Sequence, residues 1–300
     1  MDGILNINKS QDMTSFGVVA AVKRITGERH TGHAGTLDPL ATGVLPICLG
    51  QATRVIRYLF DETKTYRAQV QLGITTDTYD STGRVVQTRD AAGISRDMVE
   101  AALERFRGPI LQTPPMYSAV KYKRRPLYKL ARSGIEVERK PRPAQIDSLE
   151  ISGWQPPIVT LDVVCGKGTY IRSLAYDLGD LLGCGANMIS LVRLRVGPFG
   201  IAEALTLEQL REAFLQGRGQ DCLYPIDFVL SSFNAIVVNH EQQCSLIHGM
   251  PIALSGPPDV LPGSLSRVYT DEGSFLGMAN YDAENGRWQP EKIFLKKCGA

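Results

Sequence analysis

The fourteen residues His33-Ala34-Gly35-Thr36-Leu37-Asp38-Pro39-Leu40-Ala41-Thr42-Gly43-Val44-Leu45-Pro46 restrict this chain more than any other stretch. Gly35 and Gly43 open backbone conformations that other residues resist. Pro39 fixes its own φ and drives the residue before it, Asp38, out of helical geometry. The stretch must therefore contain a shaped loop, and its single carboxylate, Asp38, is carried by that loop rather than by a helix. An Asp in such a turn can simply bond its own backbone, or it can be an acid held out for chemistry.

The flanking sequence alternates between strand and helix signals. Gly3 to Lys9 has the alternation of a short strand, and Thr14 or Ser15 caps a helix whose apolar positions are Phe16, Val18, Val19, Val22 and Ile25. Tyr66, Ala68, Val70 and Leu72 alternate with Arg67, Gln69 and Gln71, so a half-buried strand begins with Tyr66 on its apolar side. Ser95 caps a helix with Met98, Val99, Ala102, Leu103 and Phe106 on one face, ended by Gly108-Pro109. Val159 to Cys165 reads as a buried strand. After Gly166-Lys167-Gly168 comes a helix with Ile171, Leu174, Ala175, Leu178 and Leu181 inward and Arg172 on the opposite side. A phosphate-binding P-loop would need Ser or Thr directly after the lysine, and Gly168 stands there. Leu191, Arg193 and Arg195 belong to another strand, and Thr206 with Gln209 forms a capping box ahead of Leu207, Leu210 and Phe214. Around Ser231-Ser232-Phe233-Asn234 the composition shifts to short strands and Gly/Pro turns, with one small helix near His240 to His248.

Charge is unevenly distributed. Between Lys121 and Pro143 stand nine Lys or Arg against Glu136 and Glu138, a local balance of +7 in a chain whose net charge is +2, so the remainder is negative. Tyr117, Tyr122 and Tyr128 interleave with these cations. Rings beside phosphate-seeking charges suit single-stranded or looped RNA, which makes Lys121, Lys123, Arg124, Arg125, Lys129 and Arg132 candidate RNA contacts. Few apolar anchors and many like charges predict that this stretch is mobile without RNA. The six cysteines stand at 48, 165, 184, 222, 244 and 298 without CxxC spacing, and read as buried, reduced thiols. His30 and His33 lack a third ligand of suitable spacing, so no metal site is expected. The amino terminus lacks an apolar signal region and no run of about 18 apolar residues occurs, so a cytoplasmic protein without a membrane partner is expected.

The string GHAGTLDPLATGVLP resembles the central motif of the bacterial tRNA pseudouridine synthase B (TruB) family, which isomerises one uridine in the T arm of tRNA. Lys64-Thr65-Tyr66-Arg67-Ala68, Cys165-Gly166-Lys167-Gly168-Thr169-Tyr170-Ile171-Arg172-Ser173-Leu174 and Ile189-Ser190-Leu191-Val192-Arg193-Leu194-Arg195-Val196-Gly197 resemble its other motifs in the same order. The resemblance implies an α+β fold, with a mixed, largely antiparallel sheet and flanking helices, plus a small β-rich C-terminal PUA-like domain. The implied domains are 1–232, carrying an RNA-gripping insertion at about 109–145, and 233–300. It further implies pseudouridine formation at tRNA position 55, with Asp38, Arg172 and Tyr66 as catalytic residues, by a monomer without cofactor. His33, Tyr170 and Leu191 become candidates for the pocket of a flipped-out base. Lys9 is grouped with them, either as a buttress of the Asp38 loop or as an exposed strand-end charge. Where the family has Pro and, two further on, Gly after this lysine, Ser10 and Asp12 stand here, which puts the local loop geometry in question. Two other classes compete: a noncatalytic RNA-folding factor would need the basic stretch and the C-terminal tail but not Asp38, and a glycoside hydrolase would want a second carboxylate.

Overall fold

The computed structural model describes residues 1–254 and 261–294. The chain divides into two compact units, Gly3–Leu223 and Tyr224–Ala300, and the division falls ahead of the composition change at Ser231.

The first unit is built on a mixed sheet. Its strands are β1 (Gly3–Lys9), β2 (Thr31–His33), β3 (Thr42–Leu49), β4 (Lys64–Leu72), β7 (Gly108–Gln112), β10 (Arg142–Gln155), β11 (Ile158–Cys165), β12 (Ala186–Val196) and β13 (Phe199–Gly200). The order across the sheet is β1-β3-β12-β4-β11-β10-β7, with β2 paired to β3 and β13 to β12. All pairings are antiparallel except β3 with β12. Two hairpins stand off it, β5 (Ile74–Thr76) with β6 (Val85–Thr88) and β8 (Lys121–Tyr122) with β9 (Arg125–Pro126). Six helices accompany it: α1 (Ser15–Thr26), α2 (Ile56–Asp61), α3 (Arg96–Leu103), α4 (Leu127–Arg132), α5 (Ile171–Leu181) and α6 (Leu207–Leu215). The α+β class with a mixed, largely antiparallel sheet is as expected.

Sequence signals explain most of these elements. Thr14 is the N-cap of α1 and accepts from Gly17 N, which leaves Ser15 free for another partner. Ser95 caps α3, and Thr206 with Gln209 completes the capping box of α6. In β4 the side chains of Ala68, Val70 and Leu72 are buried, and they join Leu161 and Val163 of β11 and Leu174 and Leu178 of α5 in one core.

Several expectations fail where periodicity misjudges the burying partner. Phe16, Met98 and Leu181 lie on the solvent side of their helices. The strand β11 is not buried throughout: it alternates, with Thr160 and Asp162 on the outer face, because only one side of the sheet is covered there. The segment between β7 and β10 has more apolar anchorage than expected. Met116, Leu127 and Leu130 form a small buried cluster of their own, packed by Tyr117, Val120, Ala131 and Val137. Of the cysteines, Cys48, Cys165 and Cys184 are buried, while Cys222 and Cys244 are half-buried; Cys298 lies outside the described residues.

The second unit holds a four-stranded sheet, β14 (Asn234–Val238), β15 (Leu265–Thr270), β16 (Phe275–Asp282) and β17 (Arg287–Ile293), with one helix, α7 (His240–Ile247). Val238, Leu246, Val268, Leu276 and Trp288 form its own core. This is the β-sheet domain expected at the carboxyl end.

One glycine is required by the join between β3 and β12. Gly43 lies at φ +100, and a Cβ added there would stand 2.3 Å from the carbonyl oxygen of Arg193. Gly168 has φ +79 with no atom near its missing Cβ. We predict that G168A costs about 1–2 kcal/mol of stability, from backbone strain alone. G43A should cost clearly more, because backbone must move as well. Urea denaturation of the two variants checks the difference, and equal losses would contradict it.

Candidate active site

The loop between β2 and β3 carries Asp38, and three supports hold it in shape. Beneath it, Lys9 is wholly buried and donates from Nζ to the carbonyl oxygens of Ser10 (2.9 Å), Met13 (2.7 Å) and Pro39 (3.2 Å). At its side, Ser15 Oγ accepts from Leu37 N at 2.9 Å and donates to Leu37 O at 3.0 Å, clamping the residue before Asp38. From β12, Arg193 donates to Val44 O at 2.7 Å and Gly35 O at 3.1 Å and is 1% exposed. Asp12 adds a backbone bond, its N–H reaching Pro39 O at 2.9 Å.

Lys9 thus acts as the buttress and does not face a substrate, since all three of its protons are spent on carbonyls. Burial pushes its pKa down to about 8, although Asp38 and Asp12 pull the other way. Asp12 also explains the departure from the family's glycine: its φ is +64, in the left-handed region that Asp tolerates better than most residues.

Asp38 faces the buried end of Arg172. Arg172 Nη2 lies 2.8 Å from Asp38 Oδ2, and Nη1 lies 3.4 Å from Asp80 Oδ2. The same guanidinium donates to Thr78 O at 3.2 Å and Tyr117 O at 2.8 Å. Arg172 is 5% exposed. The helical period puts it opposite the apolar stripe of α5, and that side is covered by the turn after β5 and by residues 113–118. Ser173 Oγ donates to Thr113 O at 2.8 Å, and Gln112 Nε2 to Tyr170 O at 3.2 Å, fastening that cover to the start of α5.

About 40% of the Asp38 side chain meets solvent, while protein crowds its remaining sides. Burial is the largest influence on the carboxyl and raises its pKa above the ordinary 3.8; Arg172 opposes the rise and Asp80 adds to it. Arg172 does favour the ionised form, yet it does not outweigh desolvation. Asp80 is a site residue that sequence reasoning misses. It sits in a Thr-Tyr-Asp-Ser-Thr turn where its Oδ1 accepts from Thr78 Oγ1 at 2.8 Å and Thr82 N at 3.0 Å. Nothing in such a turn marks an acid as a partner for an arginine 92 positions away.

The floor beside Asp38 comes from two adjacent strands. Tyr66 of β4 pairs with Arg193 of β12, and Leu191 pairs with Ala68, so the four side chains share one face. Tyr66 is half-buried against the main core and stands directly across from Arg193, whose charge acts on its hydroxyl. Burial raises its pKa, keeping the phenol neutral. Leu191 is buried, Tyr170 is half-buried at the N-cap of α5, and His33 ends β2. Burial and the Arg193 charge lower the His33 pKa, so its ring is neutral at pH 7. In the sequence Arg193 is marked only as a strand residue; a buried cation that bonds the distant loop from a strand position opposite Tyr66 leaves no signal in local sequence.

The six basic candidates lie elsewhere. Lys121, Lys123, Arg124, Arg125, Lys129 and Arg132 are all exposed on the β8–β9 hairpin and α4, with Lys123 over the Tyr122 ring at 5.4 Å and Arg132 over Tyr128 at 5.6 Å. Among the described residues, no group of three His, Cys, Asp or Glu is placed to hold a metal, and no helix is long and apolar enough to cross a membrane.

Residues 23–171 match the description "TruB family pseudouridylate synthase (N terminal domain)", and residues 172–231 match "tRNA pseudouridylate synthase B C-terminal domain". The chain belongs to the TruB family. Relatives within it include a tRNA pseudouridine synthase B of Dehalococcoides mccartyi, 45% identical over 99% of this chain and 98% of that one. Another, of Clostridium perfringens, is 43% identical over 99% of this chain and 100% of that one. Among solved structures, a Cbf5-Nop10-Gar1 complex matches with TM-score 0.76 and 25% identity, covering 98% of this chain and 85% of that one. An H/ACA RNP bound to a substrate RNA containing 2'-deoxyuridine shares the fold at TM-score 0.75 and 23% identity, covering 99% and 86%. The match of the TruB family descriptions runs through Asp38, Tyr66 and Arg172 and stops at residue 231.

Because folding lowers the Lys9 pKa from the ordinary 10.5 to about 8, the unfolded chain holds more protons between those limits, and stability rises with pH across them. We predict that the stability of the wild type relative to K9M increases by roughly 1–3 kcal/mol between pH 8 and pH 10. Urea melts of both chains at the two pH values measure it; a difference independent of pH would refute it.

Proposed function

We propose that this chain converts uridine 55 in the T arm of tRNA to pseudouridine, as a cytoplasmic monomer. The observation that carries this reading is the 2.8 Å pair of a partly exposed Asp38 with a buried Arg172, beside the half-buried Tyr66. Family membership and the names of the relatives support the reaction class.

The reaction breaks the N1 glycosidic bond, turns the base and rejoins it to the ribose through C5. No atom is added and no electron is gained or lost, so the balance calls for neither an oxidant nor a co-substrate. An ionised Asp38 has two compatible first steps: attack on the sugar carbon to form a covalent intermediate, or removal of a ribose proton. Arg172 aims the carboxylate and favours its charge. Tyr66 lies against the base, so the freed uracil rotates in place. His33, Tyr170 and Leu191 complete the pocket of the flipped nucleotide, whose extraction costs a few kcal/mol. The cations of the β8–β9 hairpin and α4 offset that cost by holding phosphates. The second unit is assigned as the PUA-like RNA-binding module.

A hydrolytic reading would need a second free acid. Asp80 stands on the far side of Arg172, but it is 5% exposed and its oxygens are occupied by Thr78, Thr82 and Arg172, so it is not available to protonate a leaving group.

Incubation with unmodified tRNA, followed by mapping of the altered nucleotide, should give pseudouridine at position 55 and no released uracil. D38N should bind tRNA normally and lose at least about a thousandfold in kcat; pseudouridine still formed by D38N would remove Asp38 from the chemistry, whereas a wild type that binds tRNA and forms none would favour a noncatalytic RNA-folding factor. Since burial raises the Asp38 pKa above 3.8, kcat/KM should fall with acidification, along a limb lying above that value.

A further inference from the structure

Tyr79 holds a backbone conformation that its residue type does not favour. Its φ is +65, in the left-handed region, where a tyrosine, unlike Asn or Asp, has no short polar side chain to bond locally and offset the crowding of its Cβ. Such a conformation persists where the surroundings over-determine it. On one side the main chain is fixed by β12, because Met188 N donates to Tyr79 O at 3.0 Å and Ser81 N to Met188 O at 2.9 Å. On the other, the half-buried Tyr79 ring lies on the ring of Tyr176, with centroids 4.0 Å apart and planes at 26°.

Tyr176 belongs to α5, four residues after Arg172, and residues so spaced are neighbours on a helix surface. Tyr79 itself stands between Thr78 and Asp80, which share one end of that guanidinium. Thr78 O lies 3.2 Å and Asp80 Oδ2 lies 3.4 Å from Arg172 Nη1. The ring pair is therefore a second fastening between the turn and the helix, beside the polar one. Glycine would adopt the same φ at no steric cost, so the backbone alone does not call for a ring here.

We propose that Tyr79 and Tyr176 are a positioning pair: their stack holds the turn in register on α5, so that Arg172 stays anchored through Nη1 while Nη2 aims the Asp38 carboxylate. This rests on the function proposed above, and neither ring is assigned contact with substrate. Stacked rings add an orientation preference to the area they bury, which suits a contact that sets a register. Without the stack, the Nη1 acceptors drift and the guanidinium is free to turn about its contacts with Asp38 and Tyr117 O.

Steady-state kinetics on unmodified tRNA tests this. Y79G, which also relieves the backbone, and Y176A should each lower kcat about tenfold and leave KM within about twofold. Because both remove one contact, Y79G/Y176A should lose no more than about twentyfold, where independent effects would multiply to about a hundredfold. Y79F and Y176F keep the rings and should stay within about twofold of the wild type in kcat. Exchange of the Arg172 guanidinium protons with solvent, followed by NMR without substrate, should quicken about tenfold in Y79G and remain slow in Y79F. Multiplying losses, phenylalanine variants as impaired as Y79G, a change in KM instead of kcat, or a lowered kcat with unaltered exchange would each overturn the proposal. The two readings fail separately. A wild type that makes no pseudouridine while Y79G still quickens the exchange sinks the activity alone, and an active wild type with Y79G unchanged in kcat and exchange sinks the positioning pair alone.

Discussion

One buried cation organises the site. Arg172 has almost no contact with solvent, so each of its donors must find an acceptor inside the protein. It finds Asp38 on one loop, Thr78 O and Asp80 on a second and Tyr117 O on a third segment. Removing a partner from a buried charge costs roughly 3–5 kcal/mol, which is enough to keep these segments together although they come from distant parts of the chain. The start of α5, the turn after β5 and the entry to the basic hairpin all take their positions from this one guanidinium.

The carboxylate it faces is held from below as well. Lys9, Ser15 and Arg193 bond the loop's carbonyls and the Leu37 N–H, so the loop is supported along its length rather than hinged at its ends. Two of these supports are buried cations, and their charge also reaches the groups they hold. Lys9 opposes the burial that raises the Asp38 pKa, and Arg193 depresses that of His33. Support and electrostatic tuning are thus functions of the same side chains. In the proposed function, fixing the acid before substrate arrives would remove the cost of ordering it during the reaction.

The basic hairpin is arranged differently. It has its own apolar cluster around Leu127 and Leu130, and its cations are open to solvent. This segment and the Asp38 site are separate pieces of the first unit, joined where Gln112, Thr113 and Tyr117 bond to the start of α5. Seating RNA on the hairpin would therefore press on the same segment that covers Arg172.

What the sequence determined by itself is whatever depends on near neighbours in the chain. The caps at Thr14, Ser95 and Thr206, the alternation of β4 and the non-helical setting of Asp38 follow from local propensity and steric limits, and they stand in the structure. Asp38, Tyr66 and Arg172 can be picked out because their motifs are distinctive strings. What only the tertiary structure decided is which surfaces meet. The role of Lys9 is open until Pro39 is placed above it, and Arg172 stands opposite the apolar stripe with no cover assigned to it until the turn after β5 is in place. Phe16 falls on the core face by period alone, because periodicity reports a face without saying what lies against it. Asp80 and Arg193 carry no mark in the sequence because a buried charge is satisfied by partners far along the chain, and the free energy of that pairing depends on distances in space that no local pattern encodes.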